Sequence, residues 1–142
     1  MKKLFLNTAT VLILAAAVFL SACGGGAEPE AVAEEPAGVT LVFEGQDIAY
    51  DITSATVQSG QEVTVELNNV GALEHSWVLI SDRVDPLEAT EEDALLGANS
   101  GVVAGGDKSS FTFFAPAPGT YKFVCAVEGH VAAGMVGDLI VE

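Results

Sequence analysis

Gly119-Thr120-Tyr121-Lys122-Phe123-Val124-Cys125-Ala126-Val127-Glu128-Gly129-His130-Val131-Ala132-Ala133-Gly134-Met135 reads as a β-strand that ends on a cysteine and runs into a loop. The loop offers a histidine and then a methionine, with four residues separating Cys125 from His130 and four separating His130 from Met135. A second histidine, His75, heads another apolar strand upstream, Glu74-His75-Ser76-Trp77-Val78-Leu79-Ile80. These are the chain's two histidines, and Met135 is its one methionine beyond Met1.

Each residue has an ordinary structural reading: a buried cysteine is often a small hydrophobe and a methionine a gap-filler. Their joint placement argues for a metal. A thiolate, two imidazoles and a weak thioether form the donor set of a blue-copper centre, with the thioether as long axial ligand. Cu(I) favours soft sulfur and Cu(II) favours nitrogen, so a rigid mixed site serves both states. Gly129 and Gly134 precede His130 and Met135 and can supply positive φ where the loop turns. Two histidines and a cysteine would also suit zinc, but the thioether has no use there.

Working outward, the chain reads as short β-type runs from Val39 onward. Val39–Phe43, Ile48–Tyr50, Glu62–Leu67, His75–Ile80, Ser110–Phe114, Thr120–Val124 and Gly137–Val141 are candidate strands. In Glu62–Leu67 strict alternation puts Val63, Val65 and Leu67 on one face. Seven or eight such strands predict an all-β, two-sheet sandwich. Trp77 and Leu79 share a face with His75 and are expected as core beneath the metal. One short flap helix is expected near 86–96, with Asp85 as N-cap, Pro86 at N1, Glu88 closing a capping box and Gly97 as the stop.

The N-terminal end has a different character. Residues 1–22 combine Lys2 and Lys3 with an apolar run from Ala9 to Leu20, the pattern of an export signal. Leu20-Ser21-Ala22-Cys23 resembles the bacterial lipobox, which implies acylation of Cys23; an uncleaved anchor, or an ordinary signal with a chance cysteine, competes with that reading. Residues 23–38 are rich in Gly, Pro, Ala and Glu and read as a flexible linker, leaving 39–142 as the folded domain. With Cys23 lipidated, Cys125 has no disulfide partner and is either a buried thiol or a ligand.

The net charge of −15 falls to −17 once Lys2 and Lys3 are lost with the signal. Such a surface excludes nucleic acid and favours a cationic partner, though halophilic adaptation also produces acidity. The acidic residues Glu88, Glu91, Glu92 and Asp93 read as a solvated face.

The GTYKFVC strand, the C-x4-H-x4-M loop and the HSWVLI strand resemble the cupredoxins, the type 1 blue-copper proteins of the plastocyanin and azurin kind. Together with the run Ala115-Pro116-Ala117-Pro118-Gly119-Thr120-Tyr121, they are most similar to the auracyanins of filamentous phototrophic bacteria. The likeness spans Gln61 to Glu142. It implies a Greek-key sandwich and one type 1 copper per chain, held by His75, Cys125, His130 and Met135. It further implies electron exchange through the solvent edge of His130. Around the ligands, Glu74, Ser76 and Ala126 are the expected neighbours, and the Glu74 carbonyl is a possible extra axial donor. Many cupredoxins carry Asn at the position of Ser76, whose hydroxyl could make a shorter version of the same tie between ligand loops. Val131, Ala132, Ala133 and Val136, with Pro116 and Pro118, are expected as an apolar docking collar around His130.

The expected function is a monomeric one-electron carrier, exported and lipid-anchored at the outer face of the cytoplasmic membrane or in the periplasm. Its partners would be redox proteins: a cytochrome or quinol-oxidising complex on one side, a reaction centre or oxidase on the other. A copper-handling lipoprotein, chaperone or store, is the alternative. An enzyme is not expected: there is no third histidine for a catalytic copper, and position 129 is glycine where a binuclear centre would need a cysteine.

Overall fold

The computed structural model describes residues 36–142; the signal segment, Cys23 and the linker up to residue 35 lie outside the described residues. Eight strands form two four-stranded sheets. They are β1 (Val39–Gln46), β2 (Ala49–Tyr50), β3 (Ser54–Val57), β4 (Glu62–Asn69), β5 (Val78–Ile80), β6 (Lys108–Phe114), β7 (Gly119–Val124) and β8 (Val136–Val141). One sheet has the order β2-β1-β4-β6 and the other β3-β8-β7-β5. The β1–β4 and β3–β8 pairs are parallel and the others antiparallel. Because the chain changes sheet at most connections, the two layers are cross-linked covalently throughout, as in a Greek-key sandwich.

Alternation drives the assembly. Val63, Val65 and Leu67 of β4 are fully buried, as expected, and Leu139 and Val141 of β8 face them from the other sheet. Between the layers Trp77 stacks on Phe123 with ring centroids 5.2 Å apart, and Phe43 packs 5.6 Å from Trp77 and 5.1 Å from Phe123. Fully burying each of these rings contributes about 1.5–3 kcal/mol or more. Trp77 and Leu79 are therefore core, directly following His75.

Three expectations need correction. The flap helix near 86–96 is absent; three separate 3-10 turns, Pro86–Glu88, Glu91–Asp93 and Leu95–Gly97, take its place. Asp85 does cap the first turn through the Leu87 N–H, but Glu88 closes no capping box. Instead the Asp93 carboxylate accepts from the Thr90 N–H and hydroxyl. Such short polar side chains compete with helical bonding and break the run, and Ala89 between them is extended (φ −64°, ψ 137°).

Second, β5 begins at Val78, not His75. His75 and Trp77 bond instead to the loop before β6: His75 and Val103 exchange both backbone bonds (3.0 and 2.7 Å), and Ser100 Oγ accepts from the Trp77 N–H. The segment from His75 to Ile80 is buried at every position. The aromatic core covers its inner side, and a second cluster of Val78, Ile80 and Val124 with Val84, Ala89 and Ala94 covers its outer side.

Third, β3 has no counterpart among the expected strands. It is a half-exposed edge strand of Ser-Ala-Thr-Val, whose periodic signal is only Ala55 and Val57.

Candidate metal centre

At one end of the sandwich β7 releases the chain at Cys125, and the ladder to β8 continues into the loop through the Cys125 N–H bonded to the Met135 carbonyl (3.1 Å). The loop then closes on itself. The His130 N–H bonds Val127, and the His130 carbonyl accepts from Met135 at 3.0 Å. Gly129 and Gly134 have φ of 82° and 105°, the left-handed turns expected of them. His75 arrives from the other direction, on the segment bridged to Val103.

These two deliveries bring three donor atoms together. His75 Nδ1 and His130 Nδ1 are 3.3 Å apart, Cys125 Sγ is 3.3 Å from His130 Nδ1, and 4.0 Å separates Sγ from His75 Nδ1. Donors about 2.0–2.3 Å from a shared ion would have edges of roughly 3.3–3.8 Å, so one ion fits among them. The chemistry also calls for one. Two imidazole nitrogens facing each other can share only one proton, and a thiolate beside them leaves buried lone pairs that a cation satisfies. His75, Cys125 and Met135 are fully buried, and His130 retains 8% exposure. Of these four residues, His130 alone keeps any exposure to solvent.

Ser76 provides the tie expected of it. Its hydroxyl accepts from the Ala126 N–H at 2.9 Å, and its own N–H donates to Cys125 Sγ at 3.4 Å. One buried residue thus locks the His75 segment to the Cys125 loop and places a positive dipole on the sulfur. Glu74 is exposed, so its carboxylate stands outside the cluster, and only its backbone adjoins His75.

Burial, and then the neighbouring His130, lower the pKa of His75; the Gln46 backbone and Asp47 pull the other way. Both larger effects favour a neutral imidazole, the form that binds metal. Burial, followed by the charge of Cys125, raises the Tyr50 phenol well above its ordinary value, so it stays protonated.

The expected docking collar changes in part. Ala132 and Ala133 are exposed beside His130, while Val131 and Val136 are half-buried against the Val78–Ile80–Val124 cluster. Pro116 and Pro118 do not belong to this end. The Pro116 carbonyl is bonded by Ser59, and the six residues of β7, about 20 Å of strand, separate that turn from Cys125. The loops flanking His75 and Val103 carry exposed apolar side chains of their own, Val70, Leu73 and Val102.

Asn69 is a functional neighbour that the sequence reading missed. It is buried; its Nδ2 donates to the Leu73 and Val103 carbonyls (2.7 and 2.8 Å), and its Oδ1 accepts from Gly71. It pins the loop that carries His75 to the loop that bridges it. Its sole sequence signal is an asparagine on the inward phase of β4.

Over residues 37–142 the chain matches the copper binding proteins of the plastocyanin/azurin family. It is similar to auracyanin-A of Chloroflexus aurantiacus, at 32% identity over 98% of this chain and 99% of that protein. The copper-resistant cuproprotein CopI of Rubrivivax gelatinosus is 31% identical over 65% of this chain and 59% of its own length. Among solved structures, dithionite-reduced auracyanin from Roseiflexus castenholzii superposes with a TM-score of 0.64 at 30% identity, covering 75% of this chain and 99% of that one.

Proposed function

The chain belongs to the plastocyanin/azurin family of copper-binding proteins, and on that premise we propose that it shuttles single electrons between membrane redox complexes. Copper is its cofactor, and when bound it supplies a Cu(I)/Cu(II) couple. We assign its ligands to His75, Cys125, His130 and Met135. The observation that carries the reading is the convergence of two Nδ1 atoms and one Sγ in a site closed except at the His130 edge.

The protein's own residues do the rest. The closed 125–135 loop and the Ser76 tie hold the donors in one arrangement, so little reorganisation accompanies a change of charge. Burial excludes water from the sulfur. The N–H of Ser76 stabilises negative charge on Cys125. His130, with the exposed Ala132 and Ala133 beside it on the same loop, is the place where a redox partner docks. Among the described residues, the one group of potential metal ligands is His75, Cys125 and His130, which suits a carrier with a single copper.

The partners would be a cytochrome or quinol-oxidising complex as donor and a reaction centre or oxidase as acceptor. Cys23 would carry the lipid that keeps the domain at the outer face of the membrane. The similarity to CopI favours a second reading, copper handling. An absorption spectrum with Cu(II) separates the two. An intense blue band that ascorbate bleaches is expected of the carrier, whereas tight metal binding without colour supports copper handling. Cys23→Ala is expected to release the protein from membranes; continued association would overturn the lipid anchor.

A further inference from the structure

We propose that the β1–β2 hairpin is the element that positions His75, acting through two positioning residues, Gly45 and Tyr50. This rests on the reading of His75 as a copper ligand and adds what sets its place.

Gly45 lies beneath the imidazole. A Cβ at this position would come within 2.9 Å of His75 Cδ2 and 3.4 Å of Cγ, closer than carbon atoms pack. The glycine is not there for its backbone freedom: residue 45 is paired in the strand register with Asn69 and Tyr50, and is absent from the positive-φ glycines among the described residues. It is there for space. Nor can the ring step aside cheaply, because His75 is clamped to Val103 through both backbone bonds. The Gly45 carbonyl also accepts from the N–H groups of Val70 and Gly71 (2.9 and 3.1 Å), where the loop leading to His75 starts.

Tyr50 acts five residues later, across the hairpin. Its hydroxyl donates to the Ser76 carbonyl, while its ring packs edge-on to Phe43 and Phe123 at 6.1 and 5.5 Å. Ser76 is the residue that donates to Cys125 Sγ and accepts from Ala126. The hairpin therefore holds the imidazole through Gly45 and the thiolate hydrogen bond through Tyr50, from one rigid side.

The test compares Gly45→Ala, Tyr50→Phe and a control, Val42→Ala, in the copper-loaded full chain. Val42 points outward from the same strand. We expect Gly45→Ala and Tyr50→Phe each to shift the visible thiolate-to-copper bands and the EPR splitting, and to weaken copper retention about 10-fold or more. Val42→Ala should leave all three unchanged. A merely structural role would lower the unfolding temperature without moving the spectra. Wild-type spectra in both variants, whatever their stability, would overturn the proposal. If Gly45→Ala does not fold, Tyr50→Phe decides alone, because it keeps the ring and removes only the hydroxyl. If the wild-type protein itself has no charge-transfer band, the carrier reading fails, and a metal-free crystal structure of Gly45→Ala decides this one: an undisplaced His75 ring refutes it.

Discussion

The 125–135 loop and the 75–80 segment both deliver ligands, yet they are built in opposite ways. The loop is local. Its backbone-to-backbone hydrogen bonds run between residues no more than ten apart, two glycines turn it, and β7 and β8 on either side hold its ends together. The 75–80 segment owes almost nothing to its neighbours in sequence. Val103, Ser100, Tyr50 and Cys125 fix it, all contributed by distant parts of the chain. A local hairpin can carry three ligands in a fixed spacing, but the fourth must come from elsewhere, and its placement is a property of the whole sandwich.

The difference can be tested by breaking each side. Cys125→Ser removes the donor that the local loop contributes, and we expect complete loss of the blue band with the fold intact by circular dichroism; a surviving band would refute the assignment. On the non-local side the largest effect belongs to Trp77, which anchors the segment in the aromatic core. Trp77→Ala should cost about 3–5 kcal/mol in urea unfolding, and a loss below 1 kcal/mol would mean that the segment is held by its backbone bonds alone.

Ser76→Ala cuts the link between the two regions. It leaves the Ala126 N–H without its acceptor, so a stability loss of about 1–3 kcal/mol is expected, together with faster copper release. An unchanged release rate would show that each region holds its ligands independently.

The smallest effect is expected at the hairpin tip. Ile48 adopts φ 122°, a conformation that costs a β-branched residue about 1–3 kcal/mol. Ile48→Gly relieves it, offset by about 0.4–1 kcal/mol of unfolded-state entropy. A net gain of about 1 kcal/mol should appear as a higher unfolding temperature. Destabilisation instead would mean that the half-exposed Ile48 side chain contributes more through packing than its backbone loses.

The same contrast explains which features could be read in advance. The alternation of Val63, Val65 and Leu67, the strand expected over Thr120–Val124 (observed as Gly119–Val124) and the turns at Gly129 and Gly134 are encoded by neighbouring residues. The start of β5 is not legible in sequence, because His75 to Ile80 is buried on both sides, which erases alternation. Asp85 and Pro86 have the sequence of a helix start, but Thr90 and Asp93 bind each other locally and end the run. Pro116 and Pro118 lie at the far end because β7 carries the chain from them to Cys125.

By itself, then, the sequence determined the donor set, the spacing of three ligands on one loop and the β-rich character of the domain, because residue type and short-range periodicity suffice for these. Only the tertiary structure decided that His75 meets Cys125 and His130, that His130 alone of the four ligands keeps some exposure, and that Gly45, Tyr50 and Asn69 stand around the site. Those are contacts between residues tens of positions apart. Their register comes from the packing of two sheets, and packing leaves no trace in any short stretch of chain.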